Sequence, residues 1–172
     1  DELKIYPTAL LQGTELYRIW QAGNFAPYDE DELVDLVADC KAMVPPYCRI
    51  NRIMRDIPAG NIVAGSTKSN LRQIARERLK EQGRDCQCIR CREIRGQTVT
   101  RAELHLVDLP YETDATQEHL LQAAPDLAGA GIDEQQHRRH EGRQAAGEIT
   151  GALRRHMARA AGPEHEAQGV GT

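Results

Sequence analysis

Three thiols stand within six residues in the stretch Asp85-Cys86-Gln87-Cys88-Ile89-Arg90-Cys91-Arg92-Glu93. One tight turn brings side chains spaced C-x-C-x-x-C to the same side, and thiolates gathered in this way suit Zn²⁺. Tetrahedral closure asks for a fourth donor. Cys40, Cys48 and His105 are the nearest candidates, and the sequence does not choose among them. The plainer alternative is a set of reduced thiols on a loop between a helix and a strand, but structural cysteines rarely cluster with arginines between them. A disulfide framework fits less well: the five cysteines are odd in number, Cys86 and Cys88 are too close to pair comfortably, and no secretory segment is visible.

The elements that must position this turn can be read along the chain. Leu3-Lys4-Ile5-Tyr6 alternates apolar and polar before Pro7 and predicts a short strand. Thr14 caps a helix with Leu16, Ile19 and Trp20 on one face and Gly23 as its stop. Asp29 caps a stronger helix in which Leu33, Leu36, Val37 and Cys40 recur at helical spacing, and Pro45-Pro46 ends it. Tyr47 to Met54 then reads as a second strand, so strand, helix and strand imply a parallel β/α unit of the kind that places functional side chains at strand carboxyl ends. Arg49, Arg52 and Arg55 recur every third residue, so a bulge or an early strand end near Arg52 is needed for all three to reach one partner. Residues 57–67 read as an uncharged loop with two glycines. Ser69 or Asn70 starts a helix with Leu71, Ile74, Ala75 and Leu79 inward and Lys68, Arg72, Arg76 and Lys80 as an outer stripe, closed by Gly83. Beyond the cysteines, Glu103 to Val107 reads as a strand and Thr116 as the cap of a short helix through Leu121.

Composition bounds the function. The chain is 40% hydrophobic with one Trp, one Phe and five Tyr, and all of these aromatics except Tyr111 precede residue 50. No run of about eighteen apolar residues occurs, so no membrane span is expected and the chain reads as cytoplasmic. It opens without methionine in what looks like mid-strand, as a piece of a longer protein would. The net charge of −4 conceals a polarity. Residues 1–40 carry two basic and nine acidic groups, residues 41–101 fourteen and five, and residues 102–172 six and twelve. Eleven of the fourteen central bases are arginine, whose planar fork matches phosphate, so the middle third predicts a polyanionic partner such as RNA. From residue 123 onward Gln, His, Arg, Ala, Gly and Glu dominate, and only Ala145 to Ala160 could form a helix, on propensity alone.

Several of these motifs occur together in the order of a known family. Lys4-Ile5-Tyr6-Pro7-Thr8, Gly13-Thr14-Glu15-Leu16-Tyr17, Leu33-Val34-Asp35-Leu36-Val37, Val44-Pro45-Pro46, Arg52-Ile53-Met54-Arg55-Asp56-Ile57-Pro58 and Cys91-Arg92-Glu93 resemble the catalytic subunit of Elongator and its bacterial and archaeal homologues, from about Asp1 to Gln122. That family joins a radical S-adenosylmethionine barrel, with its 4Fe-4S cluster, to a GNAT-type acetyltransferase through a zinc-binding linker. It uses acetyl-CoA to form 5-carboxymethyluridine at the tRNA wobble position.

The resemblance implies an α/β fold. Residues 1–66 would be the end of the barrel, 67–100 the basic helix and zinc-binding linker, 101–122 the start of a GNAT-like α+β domain, and 123–172 an irregular, disordered or frame-shifted tail. It makes Lys4 a candidate for the barrel cavity, Cys86, Cys88 and Cys91 the zinc ligands, and Arg49, Arg52, Arg55, Lys68, Arg72 and Arg76 the face toward the tRNA anticodon arm. Gln168-Gly169-Val170-Gly171-Thr172 resembles the acetyl-CoA pyrophosphate turn, with Gly169 and Gly171 as its cofactor-binding positions. The family's radical motif belongs upstream and is spaced more widely than C-x-C-x-x-C, and the acetyltransferase is only begun, so this chain alone is expected to catalyse nothing, while the parent would be a tRNA carboxymethyluridine synthase, with a homo-oligomer left open. The rival readings are a stand-alone zinc-stabilised RNA-binding module without catalysis, and a protein-interaction domain using the acidic flanks.

Overall fold

The computed structural model describes residues 1–96 and 98–125. The readings that fall on 126–172, among them Gly169 and Gly171, lie outside the described residues.

The alternation at the start forms β1 (Glu2–Ile5), with Leu3 and Ile5 half-buried and Lys4 exposed. Its Leu10–Leu11 continuation, β2, was not legible as a strand, being only two residues long. Thr14 caps α1 (Glu15–Gln21) through its side chain, which accepts from the Tyr17 amide at 3.2 Å. The expected apolar face of α1 is less buried than its pattern implies: no residue of α1 is fully buried, and Trp20 packs on Tyr17 with ring centroids 5.6 Å apart.

The strongest local signal gives the best-formed element. In α2 (Glu30–Met43), Asp29 Oδ1 accepts from the Glu32 amide at 2.8 Å while Glu32 Oε2 accepts from the Asp29 amide at 3.2 Å, a reciprocal capping box. Glu30, Asp31 and Glu32 also set negative charge against the positive end of the helix dipole. Val44 turns extended, and the prolines lead into β3 (Arg49–Ile53), which pairs parallel with β1. The register slips between Leu3 and Lys4: Leu3 faces Ile50 but Lys4 faces Arg52, which leaves Asn51 as a bulge. That extra residue explains the spacing of three, since Ile50 and Ile53 both turn inward and Arg52 is exposed. The chain leaves β3 through Met54 at φ +83, a strained value for a non-glycine residue, with the Met54 amide donating to Ile5 O at 3.0 Å.

Residues 57–67 are not all loop. A 3₁₀ turn, Ala59–Asn61, leads into β4 (Ile62–Ala64), antiparallel to β2. The helix that follows, α3 (Leu71–Glu81), buries Leu71, Ala75 and Leu79 against α2, and Arg78 clamps the pair by reaching Asp35 at 2.5 Å and Asp31 at 3.2 Å. One core results. It holds Leu33, Val34, Val37 and Ala38 of α2, Ile50 and Ile53 of β3, Leu71, Ala75 and Leu79 of α3, and also Cys86 and Cys88.

A short helix, α4 (Ile89–Arg92), and a second 3₁₀ turn precede a hairpin of β5 (Leu104–Glu112) and β6 (Gln117–Pro125). Here the sequence reading is corrected, because Thr116 starts no helix. Its carbonyl accepts from the Thr113 amide at 2.8 Å, closing a turn, and residues 117–125 pair with residues 104–112 in an unbroken antiparallel register. Cross-strand pairing outweighs the local helix signal of Gln117–Leu121, as neighbours often do for short segments. β6 also runs past residue 123, where composition predicts an irregular tail to begin. Among the described residues no helix is long and apolar enough to cross a membrane.

Candidate metal centre

The cysteine turn is built on the core. The Ile89 amide donates to Cys48 O at 3.0 Å, pinning the start of α4 to the residue before β3, and the Cys91 amide donates to Cys88 O at 3.0 Å. The interleaved arginines act as struts. Arg90 Nη1 donates to Asn51 O at 2.5 Å, and Arg92 donates to Gln87 O at 2.8 Å, Pro46 O at 2.5 Å and Gln122 Oε1 at 2.8 Å. The last of these ties the hairpin to the turn, as does the parallel stack of Tyr47 on Tyr111, 3.8 Å between centroids and 6° between planes. The Tyr111 phenol donates to Glu118 at 2.7 Å, which pushes its pKa up to about 12.

The sulfurs of Cys86, Cys88 and Cys91 lie within 4.8 Å of one another. Cys88 is fully buried, Cys86 is 7% exposed and Cys91 is half-buried. Hydrogen bonds from the thiols of Cys86 and Cys91, joined by the backbone amides of Ile50 and Cys91, pull the Cys88 thiol far below its ordinary range despite burial. The same sharing, with burial, pushes Cys86 far up. Three sulfurs gathered this closely are a donor set that suits a soft cation, which binds them as thiolates.

The positive charge around it fits the same state. Arg72 donates to Ile50 O at 2.8 Å, yet its Nη1 is buried without a partner; burial, then Arg90, lowers its pKa, and the fields of Cys91, Cys88 and Cys86 oppose that shift. Arg92 is lowered by burial and supported by Cys88 and Cys86. Lys41 is fully buried, and its Nζ lies 3.7 Å from Cys91 Sγ. The sequence reading missed Lys41, although it is in phase with Val34, Val37 and Ala38 on the buried face of α2.

Of the three candidate fourth ligands, Cys48 feels the charge of Cys88 in the cluster. Burial raises its thiol pKa, the N-terminal charge opposes this, and Cys88 adds to the rise. Cys40 is raised by burial and then by Asp39. His105 is exposed on β5. Among the described residues, the group that could hold an ion comprises Cys86, Cys88 and Cys91 alone. With Cys86 and Cys88 buried in the core and Cys91 half-buried against it, this triad fits a structural ion; it does not fit a cluster that must reach S-adenosylmethionine.

The basic residues do not form the uniform face that charge counting suggests. Arg49 is ion-paired with Glu93, Lys68 with Glu30 at 2.6 Å, and Arg72 turns inward from the expected outer stripe of α3. Arg76 and Lys80 stay exposed. At the carboxyl ends of β1 and β3 a tighter group forms. Lys4 is registered against Arg52, Arg52 pairs with Asp56 at 2.7 Å across an exposed contact, and Arg55 lies over the Tyr6 ring, 5.8 Å from its centroid. An exposed ion pair of this kind holds its arginine only weakly.

Residues 1–81 match the family model described as the Radical_SAM C-terminal domain. The chain is similar to the tRNA uridine(34) acetyltransferase of Methanocaldococcus infernus, 45% identical over 94 residues that make 55% of this chain and 18% of that protein. Its similarity to the enzyme of the same name from Dehalococcoides mccartyi is 44% over 115 residues, 64% of this chain and 25% of the relative. Elongator complex protein 3 of Homo sapiens is 40% identical over 114 residues, 66% of this chain and 20% of that protein. A solved structure of the archaeal Methanocaldococcus infernus Elp3 with an N-terminal deletion has a TM-score of 0.66 at 37% identity, covering 73% of this chain and 31% of the other. The chain thus spans about a quarter or less of the length of these curated relatives.

Proposed function

Because this chain belongs to the family of the Elongator catalytic subunit and its archaeal and bacterial relatives, we propose that it is the part of a tRNA-modifying enzyme that docks the substrate and carries a structural zinc site. The intact parent uses acetyl-CoA and radical S-adenosylmethionine chemistry, with a 4Fe-4S cluster held elsewhere, to form 5-carboxymethyluridine at the wobble position. Cys86, Cys88 and Cys91 hold the zinc, which supplies a fixed, redox-inert cross-link and no reacting group. Residues 67–100 act as the linker, and the β5–β6 hairpin begins the acetyltransferase domain.

The observation that carries the docking role is the cationic and aromatic group at the ends of the parallel strands: Lys4, Tyr6, Arg52 and Arg55. Strand carboxyl ends are where barrel enzymes present substrate-facing side chains. Arginine with an exposed ring offers phosphate contacts and a stacking face for an unpaired base. Arg76 adds charge on α3, while Arg49 and Arg72 serve mainly to hold the scaffold and Lys68 keeps an exposed ion pair with Glu30.

tRNA binding by the full chain across a salt series tests this. Arg52→Gln with Arg55→Gln is expected to weaken binding at low salt and to reduce the log–log salt slope by about 1.5, since each lost phosphate contact removes about 0.7–0.9. Unchanged affinity and slope would remove these residues from the RNA face.

A further inference from the structure

Lys41 is the least accessible charged side chain described, with no exposure at all. It sits in the last turn of α2, in phase with the apolar face, and among the described residues its amine has a single partner, the sulfur of Cys91 at 3.7 Å. A buried ammonium whose one side-chain partner is a half-buried sulfur is poorly compensated while the cluster is metal-free, and folds rarely retain an interior charge in that state. An ammonium also has no lone pair with which to bind a cation itself. The lysine is better compensated once the sulfurs are metal-bound. Three thiolates and one Zn²⁺ carry a net charge of −1, which favours a buried ammonium at Cys91 alongside the guanidinium groups of Arg72 and Arg92 that also face the cluster.

We propose that Lys41 is the buried counter-ion of the Cys86–Cys88–Cys91 centre, donating a hydrogen bond to the Cys91 thiolate and offsetting the residual charge of the tris-thiolate metal site. This rests on the metal-site reading above. Lys41 comes from α2, Arg72 from α3 and Arg92 from α4, so cations from three helices converge on one cluster, but only Lys41 lacks a carbonyl partner. Both arginines keep backbone acceptors whether or not metal is present. Lys41 is therefore a positioning residue for Cys91 and couples α2 to metal binding. It also shields the sulfur, because a hydrogen-bonded thiolate is a poorer nucleophile than a bare one.

The test uses the full chain loaded with zinc, with Lys41→Met as the isosteric apolar variant and Lys41→Gln as one that keeps a donor without the charge. Zinc affinity by chelator competition is expected to fall about 10–100-fold in both variants, as it does on loss of outer-shell partners elsewhere. Cys91 should be alkylated faster relative to Cys88 in zinc-loaded Lys41→Met than in the parent chain. Chelation should also lower the melting temperature by less in Lys41→Met, because the apo variant no longer buries a poorly compensated charge. A zinc-loaded parent chain with unchanged affinity, alkylation ratio and chelation response in both variants would overturn the counter-ion role alone. A parent chain that takes up no stoichiometric zinc would instead overturn the metal reading on which it rests.

Discussion

Single positions carry more than their residue types announce. Arg72 looks like one member of a basic stripe, yet its guanidinium turns from α3 to the carbonyl of Ile50 and leaves Nη1 buried beside the cysteine cluster. Lys41 looks like an ordinary basic residue near a helix end, yet it is sealed against Cys91. In both cases the charge is legible in the sequence but the direction of the side chain is not. Gly65 is a backbone case: it adopts φ +103 where β4 ends, and a Cβ there would stand 2.9 Å from the carbonyl oxygen of Thr8. Gly65→Ala combines left-handed strain of about 1–2 kcal/mol with a clash against backbone that has little room to shift. Chemical denaturation should show a loss of about 2 kcal/mol or more with an unchanged m-value, and a loss below about 0.5 kcal/mol would mean that the β2–β4 pair yields easily.

At the scale of elements, the legible ones carry their own end signals. The α2 helix has Asp29 and Glu32 at the spacing of a capping box, acidic residues in its first turn and prolines beyond its end, and the structure reproduces each of these. Asp29→Ala should therefore cost about 1 kcal/mol. The loss should appear as faster amide exchange in the first turn of α2; protection unchanged there would show that packing on α3 suffices without the cap. Elements that depend on a partner are the ones misread. The segment after Thr116 becomes a strand because residues 104–112 lie opposite it, and β2 and β4 are so short that only their mutual pairing defines them. The β3 bulge lies between these cases. The three-residue spacing of Arg49, Arg52 and Arg55 calls for an irregularity near Arg52, and the register slip places it at Asn51, but its position comes from β1 across the sheet.

The whole molecule joins the parts that the sequence reading divides at residues 66 and 100. Cys86 and Cys88 belong to the same core as α2, β3 and α3, so the proposed linker is docked on these elements rather than strung beyond them. Tyr47 on Tyr111 and Arg92 on Gln122 then attach the hairpin to that unit. Metal removal should consequently be felt far from the cysteines. Chelating the zinc-loaded chain should lower its melting temperature and speed amide exchange in β3 and α4 together, since binding free energy at such a site is folding free energy. Exchange rising only at residues 86–91 would show a locally tethered ion.

By itself the sequence determined the cysteine spacing, the capped helix, the parallel β/α unit and the family, because these depend on residue types at fixed local offsets. Only the tertiary structure decided which arginines brace the scaffold and which stay at the strand ends, that Lys41 meets Cys91, and that the final segment pairs as a strand. Those outcomes turn on burial and on partners up to fifty residues away, where desolvation and hydrogen-bond satisfaction outweigh the intrinsic preference of any one residue.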